Sequence, residues 1–236
     1  IWLPYDFIDP GMDGKWGTAD DQNMTVYGLA SYAPTPTFQG INPPEAKREY
    51  TAAVLTFDKR MSNRWQLQGS ILYSAFKGNC DPGYDATEGE DTMFDDPNYM
   101  INSYGRLPFD RPLQIKVMGS VILPFDIILT AYFQHRSGSA WRRTISRVYF
   151  PTAAYPDYID TQYSYVWVAA ETYGTRRNPP YTMVDMRLEK YFTLGKLGKL
   201  SLYIDAFNVG GRSGYNINHN PNPYIYAYEV PPRIEP

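Results

Sequence analysis

The sequence has few of the side chains on which most enzymes and metal centres depend. It contains one cysteine, Cys80, so this chain can form no internal disulfide and no cysteine-based zinc site. Its two histidines, His135 and His219, belong to no metal-binding or catalytic pattern. We therefore predict that the chain is not an enzyme.

The chain also lacks a dominant charge and a long apolar run. Its 22 Lys and Arg against 25 Asp and Glu give a formal net charge of -3, which argues against a dedicated nucleic-acid-binding protein. No stretch of about 18 apolar residues occurs, so no transmembrane helix is predicted. This does not exclude transmembrane β-strands, because such strands give only a weak alternating pattern.

What the chain has is aromatic residues, 16% of 236, and segments in which apolar and polar residues alternate. Trp65, Leu67 and Ile71 fall on one face of such a segment, and Gln66 and Gln68 fall on the other. This period of two predicts strands. Three hairpins are predicted, at residues 50–59 with 65–74, 112–123 with 127–136, and 182–192 with 199–208. Weaker strand candidates lie at residues 24–30, 163–170 and 224–230, which gives about eight strands and no amphipathic helix.

Short connections alternate with long ones along the chain. The short turns lie near residues 60–63, 123–126 and 195–198, whereas residues 77–111 and 137–180 form long segments rich in Gly, Pro, Asp, Asn and Tyr. If the strands pair in chain order, all short turns fall at one end of the sheet, as in outer-membrane barrels. We therefore predict an all-β, antiparallel transmembrane β-barrel segment with long extracellular loops. A soluble sheet with one face on a core stays the alternative from pattern alone.

Five short motifs, in order between about residues 49 and 208, resemble those of TonB-dependent outer-membrane receptors. They are KRMSNRWQLQGS at residues 59–70, GRLPFDRP at 105–112, Ser-Gly at 137–138, YGTRRNPP at 173–180 leading into VDMRLEK at 184–190, and DAFNV at 205–209. The stretch DPGMDGKWGTADD at residues 9–21 resembles a loop of the Oar-like receptors of this family.

The resemblance implies that residues 1–236 are a C-terminal barrel segment, about eight strands of a barrel of about 22 that encloses a plug. Residues 1–48 would be an acidic loop and strand, residues 49–208 the hairpins that carry the motifs, and residues 209–236 a loop with partial final strands. The plug and the final strand are not in this sequence, so we expect a fragment of a longer receptor.

By the same resemblance, the protein would lie in the bacterial outer membrane and take up a scarce solute. Its partners would be outer-membrane lipid, lipopolysaccharide, and the TonB system acting through an N-terminal region that this sequence lacks. The resemblance does not distinguish between siderophores, glycans and peptides as the solute. The alternatives are a structural or ligand-binding surface barrel without transport and, less favoured, a soluble carbohydrate-binding β-sandwich.

Four carboxylates in the stretch at residues 9–21 suggest a calcium site. Gly and Pro lie between Asp9, Asp13, Asp20 and Asp21, and hard cations bind to oxygen ligands on such bent loops. The spacing differs from that of the EF-hand. The alternative is a solvated acidic turn.

Two further groups are candidate ligand-binding residues. Arg142 and Arg143, with the nearby Arg136 and Arg147, surround Trp141, and arginine beside an aromatic ring can bind carboxylates, phosphates or sugars. The alternative is ordinary loop charge. The second group is aromatic and suits sugars or peptides, or packs the loops into a rigid cap. It comprises Tyr158, Tyr163, Tyr165 and Trp167.

Overall fold

A computed structural model describes residues 1–12, 17–30, 32–34, 37, 39, 42–80, 94, 96–148, 158–159, 166–172 and 174–209. Within these residues the chain is predominantly β, and every strand pairing is antiparallel. The strands are β1 (Trp2–Asp9), β2 (Gln22–Ala30), β3 (Arg48–Ser62), β4 (Trp65–Gly78), β5 (Gly105–Arg106), β6 (Leu113–Leu123), β7 (Ile127–Arg136), β8 (Ala140–Trp141), β9 (Thr144–Val148), β10 (Tyr158–Ile159), β11 (Val166–Ala169), β12 (Arg176–Arg177), β13 (Tyr181–Thr193) and β14 (Lys199–Ala206). One α-helix, α1 (Pro97–Met100), and two 3-10 turns, Pro124–Asp126 and Gly195–Leu197, complete the described elements.

Six long strands form the main sheet, in the order β14-β13-β7-β6-β4-β3, and the short β5 pairs with β4. The three predicted hairpins are confirmed as β3–β4, β6–β7 and β13–β14, because alternation over ten or more residues fixes which face each side chain takes. Among the described strands the sheet is open, with β3 and β14 at its two edges.

The three hairpin turns lie at one end of the main sheet, here called the turn end. Each turn needs left-handed backbone: φ is 51° at Asn63, 64° at Phe125 and 59° at Gly195. Because neighbouring strands run in opposite directions, the two long connections between hairpins leave from the opposite end, here called the loop end. The predicted separation of short turns from long loops is therefore present in the described residues.

The main sheet has one continuous apolar face. In register across it, Leu188 of β13 lies between Leu129 of β7 and Ile204 of β14. The apolar face comprises Leu55, Ile71, Ile115, Val117, Val121, Leu129, Phe133, Val184, Met186, Leu188, Leu202 and Ile204. None of these twelve side chains is buried, so no described part of the chain covers the face. The opposite, polar face carries side chains such as Lys116 and Thr130.

A second region, here called the loop layer, is built from β1, β2, β8 to β12 and α1. Its hydrophobic core consists of Met24, Val26, Val168 and Ala170, against which Ile101 and Ile145 pack. The count of about eight strands was too low, since the described residues contain fourteen. Apart from β1, the additional strands lie in segments predicted as loops and have only two to five residues, too few for alternation to be recognised. Of the weaker candidates, β2 and β11 are present, and residues 224–230 lie outside the described residues.

In the part of the chain that the structure describes, no helix is long and apolar enough to cross a membrane.

Candidate functional site

Asp9, the first of the predicted calcium ligands, is the last residue of β1 and is buried. Both of its carboxylate oxygens accept hydrogen bonds from the Arg143 guanidinium: Nη1 donates to Oδ1 at 2.7 Å, and Nη2 donates to Oδ2. Arg143 Nη1 also reaches the carbonyl of Gly11 at 3.3 Å. This two-pronged pair joins two predicted sites, the acidic stretch and the arginine cluster.

The pair continues into a longer chain of charges. Glu171 accepts a hydrogen bond from the backbone N–H of Arg143 at 3.2 Å, and its carboxylate receives Arg176 Nε at 2.8 Å and Nη2 at 2.7 Å. The Arg176 guanidinium lies over the ring of Trp141, 5.4 Å from its centroid. Asp9, Arg143, Glu171 and Arg176 therefore form an ion network in which two carboxylates match two guanidinium groups.

Opposing effects act on the pKa of Glu171. Burial raises it, but the hydrogen bonds from Arg176 and from the backbone of Arg143, together with the charges of both arginines, lower it by more, so the pKa of Glu171 falls below its ordinary value. Glu171 therefore stays ionised within the loop layer.

Arg142 also points into the loop layer. It is buried, and its Nη1 donates to the carbonyl of Asn102 at 2.9 Å. Asn102 in turn donates from Nδ2 to the carbonyl of Ala169 at 2.9 Å, next to the core. Arg142 and Arg143 thus hold the loop layer together, and ligand binding by them stays a prediction.

Asp20 and Asp21, two further predicted calcium ligands, lie in the connection between β1 and β2. Asp20 accepts hydrogen bonds from the Met12 N–H at 2.6 Å and from the Thr18 hydroxyl at 2.8 Å, and Asp21 accepts from the Gly17 N–H at 2.7 Å. Asp13 lies outside the described residues. Within those residues no group of three or more His, Cys, Asp or Glu side chains is arranged to hold a metal ion. Calcium binding stays a prediction.

Most of the predicted aromatic ligand-binding group lies outside the described residues. Tyr158 pairs through its backbone with Ala30, and Trp167 lies in β11, but neither side chain is among the described parts. Tyr163 and Tyr165 lie outside the described residues.

Sequence reasoning did not single out Asp110. It is buried at the loop end, where its carboxylate accepts the Phe76 N–H at 2.7 Å and hydrogen bonds from Arg106 at 3.3 Å and Arg177 at 2.5 Å. The bond between Arg177 and Asp110 ties the two long connections together, and Arg177 also donates to the carbonyl of Gly138 at 3.2 Å. All of these residues except Phe76 lie within the motifs named in the sequence analysis. Those motifs indicated a family resemblance, but they did not predict which of their residues contact one another.

Two further arginines, Arg111 and Arg136, lie near the hydrogen bonds of Asp110. Arg136, the last residue of β7, lies on the polar face of the main sheet, with its guanidinium 5.7 Å from the ring centroid of Tyr181. Arg111 lies just before β6 and donates from Nη1 to the carbonyl of Ser137 at 3.1 Å. Burial lowers the pKa of Arg111, and the neighbouring charge of Arg136 lowers it further.

Comparison of the chain with protein-family models, with curated proteins and with solved structures gave no match.

Proposed function

We propose that this chain forms barrel wall and extracellular loops of a TonB-dependent outer-membrane receptor that takes up a scarce solute. The observation that carries the proposal is the apolar face of the main sheet, which continues across six strands with no described part of the chain upon it. A soluble protein seldom leaves so large an apolar surface in water, whereas lipid would cover it at no such cost. The motif resemblance supplies the family.

The strand lengths support a membrane span. Five of the six long strands have 10 to 15 residues: β3, β4, β6, β7 and β13. A tilted strand crosses the hydrocarbon core with about 9 to 11 residues.

The borders of the apolar face also suit a bilayer. At the turn end, Lys59 and Lys190 follow the aliphatic residues on that face, and each ammonium group lies near an aromatic ring. The Lys59 Nζ is 3.8 Å from the ring centroid of Trp65, and the Lys190 Nζ is 5.5 Å from that of Phe192. Side chains with an apolar stem and a polar tip mark membrane interfaces.

In this proposal the main sheet is a run of consecutive strands of a larger barrel, whose further strands would pair with the edges β3 and β14. The turn end would face the periplasm, and the loop layer would face the outside. A second candidate is a surface barrel that binds or displays without transport. The loop layer favours it in one respect, because its own core and ion network make it a self-contained surface.

The location and orientation are tested together by cysteine labelling in intact cells. In a Cys80→Ser background, one cysteine replaces Glu45, which is exposed just before β3 at the loop end, and in a second variant one replaces Lys196, exposed in the β13–β14 turn. A membrane-impermeant maleimide should label Glu45→Cys in intact cells and Lys196→Cys only after the outer membrane is opened.

The matched control is the Cys80→Ser parent, which should stay unlabelled. Equal labelling of both variants in intact cells, or recovery of the chain in the soluble fraction, would reject the outer-membrane location. Outer-membrane location without loss of solute uptake on deletion would favour the scaffold over the transporter.

A further inference from the structure

The arginines at the loop end differ in whether a carboxylate matches them. Arg106 and Arg177 share Asp110, and Arg143 and Arg176 share Asp9 and Glu171. Among the described residues no carboxylate forms an ion pair with Arg111 or Arg136. Within the part of the chain that the structure describes, these two arginines therefore lack a matching carboxylate.

The backbone holds the two unmatched arginines beside each other. Arg136 lies opposite Gln114 of β6 and Tyr181 of β13 on the polar face. The next residue, Ser137, accepts a hydrogen bond from the Arg111 guanidinium on its backbone carbonyl. Ser137 is held to Leu113 by two hydrogen bonds: its N–H donates to the Leu113 carbonyl at 2.8 Å, and the Leu113 N–H donates to its hydroxyl at 3.2 Å. The strand pairing therefore holds the Arg111 guanidinium against the residue that follows Arg136, close enough for the two positive charges to act on each other.

The side chains still have donors to offer. Arg136 Nε is buried and has no hydrogen-bond partner within the described structure, and Arg111 uses only Nη1, on the Ser137 carbonyl. A buried donor without a partner is costly, and so is a half-buried pair of like charges. A bound anion would relieve both costs at once.

We propose that Arg111 and Arg136 form an oxyanion site that takes a carboxylate or phosphate group of a solute, with the ring of Tyr181 beside it. Planar guanidinium groups match both oxyanions with paired hydrogen bonds. Arg136 lies on the polar face, away from the apolar face that lipid would cover, so the ligand that it would bind is a water-soluble anion. The inference rests on the proposed function for its biological meaning, in that the transported solute would be anionic.

The binding test uses the full chain, purified in detergent and titrated by calorimetry at low ionic strength. Inorganic phosphate and succinate are the two probes, and glucose is the neutral control. Arg136→Gln and Arg111→Gln should each weaken binding by about tenfold or more, the size expected for a charged hydrogen bond. Binding of one probe alone assigns the site to phosphate or to carboxylate. Arg60→Gln, the same change at the exposed turn end, is the matched control and should bind as the parent does.

A second readout separates a ligand site from a structural role. Without added anion, Arg136→Gln should melt at the same temperature as the parent or higher, because it removes a repulsive charge, and it should lose the stabilisation that phosphate gives the parent. A lower melting temperature with unchanged binding would overturn the proposal, and so would the absence of anion binding in the parent. Binding that depends on Arg136 in a chain found outside the outer membrane would keep the site and reject the proposed function.

Discussion

In the loop layer Val26 and Val168 are fully buried, whereas in the main sheet Leu55 is 62% exposed and Ile204 is 71% exposed. Both regions are antiparallel, so strand pairing does not explain the difference. The loop layer folds its short strands over one another and encloses its apolar side chains. The main sheet presents a flat row of strands with no described layer upon it. The first region has an interior of its own, whereas in the second no described part of the chain covers the apolar side chains.

The two regions also treat charge differently. Arg143 and Asp9 are 3% and 1% exposed at their side chains, whereas in the main sheet the Arg187 side chain, paired with Asp205, is 46% exposed. Water screens an exposed pair, and little is lost when it breaks. A buried pair that loses one partner leaves a charge without solvent. The comparison therefore predicts where single substitutions have the largest effect.

The largest effect is expected from Asp9→Ala, which leaves the buried Arg143 guanidinium without its main partner. The loop layer should lose about 3 to 5 kcal/mol of stability, measured by hydrogen exchange of peptides from β1, β2, β9 and β11. Asp6→Ala is the control on the same strand, because Asp6 is exposed and its carboxylate accepts a hydrogen bond from the Thr25 hydroxyl at 2.6 Å. Equal loss of protection in the β6–β7 hairpin would show that the two regions unfold as one unit.

The next effect concerns the two faces of the main sheet. Leu129→Arg places a charge in the middle of the apolar face and should cost about 2 to 4 kcal/mol when the chain folds in lipid. Thr130→Arg, on the next residue and the polar face, should be tolerated. Refolding into vesicles, followed by the gel-mobility difference between folded and unfolded chain, measures both variants. If both fold equally well, lipid does not contact this face.

A smaller, pH-dependent effect is expected at Glu171. Because its pKa is lowered in the folded loop layer, its contribution to stability is present above its ordinary pKa of 4.5 and is lost as the pH falls through the lower, folded value. Glu171→Gln should cost about 1 to 3 kcal/mol at neutral pH and should flatten this acid dependence. Hydrogen exchange of the loop layer from pH 6 downward measures both, and an unchanged acid profile in the variant would assign the dependence to another carboxylate.

The smallest effect is expected at the turn end. Lys59→Leu removes the ammonium group from the Trp65 ring and from the carbonyls of Ser62 and Trp65, each 3.0 Å away. We expect a loss of about 1 kcal/mol, because this site is partly exposed. Lys77→Gln, exposed at the other end of the same hairpin, should change stability less. The midpoint of denaturant unfolding compares the two.

The hairpins of the main sheet were predictable because their alternation is long and local. Once a turn is placed at residues 123–126, the register of β6 and β7 follows, and it already brings residue 111 close to residue 137. The proximity of Arg111 to Arg136 could therefore have been predicted from the hairpin. It was missed because Arg136 was grouped with its sequence neighbours Arg142 and Arg143, which point into the loop layer.

The ion network could not be predicted in the same way. Asp9 and Arg143 are 134 positions apart, and no periodic pattern connects them. The acidic spacing of residues 9–21 suggested that the carboxylates face one another, but β1 ends at Asp9, whose carboxylate pairs with Arg143 elsewhere in the loop layer. Short strands such as β8 and β12 exist because the tertiary fold places them side by side, so their sequences carry little signal of their own.

The wide sequence separation of Asp9 and Arg143 has a consequence for the order of folding. Each hairpin of the main sheet closes through a turn of a few residues, whereas the Asp9 contact closes a loop of more than a hundred residues at a greater cost in chain entropy. We expect the hairpins to form first and the loop layer to close last. The same order, run backwards, makes the loop layer the part that opens while the strands beneath it stay paired. The loop layer could therefore rearrange repeatedly without the main sheet coming apart.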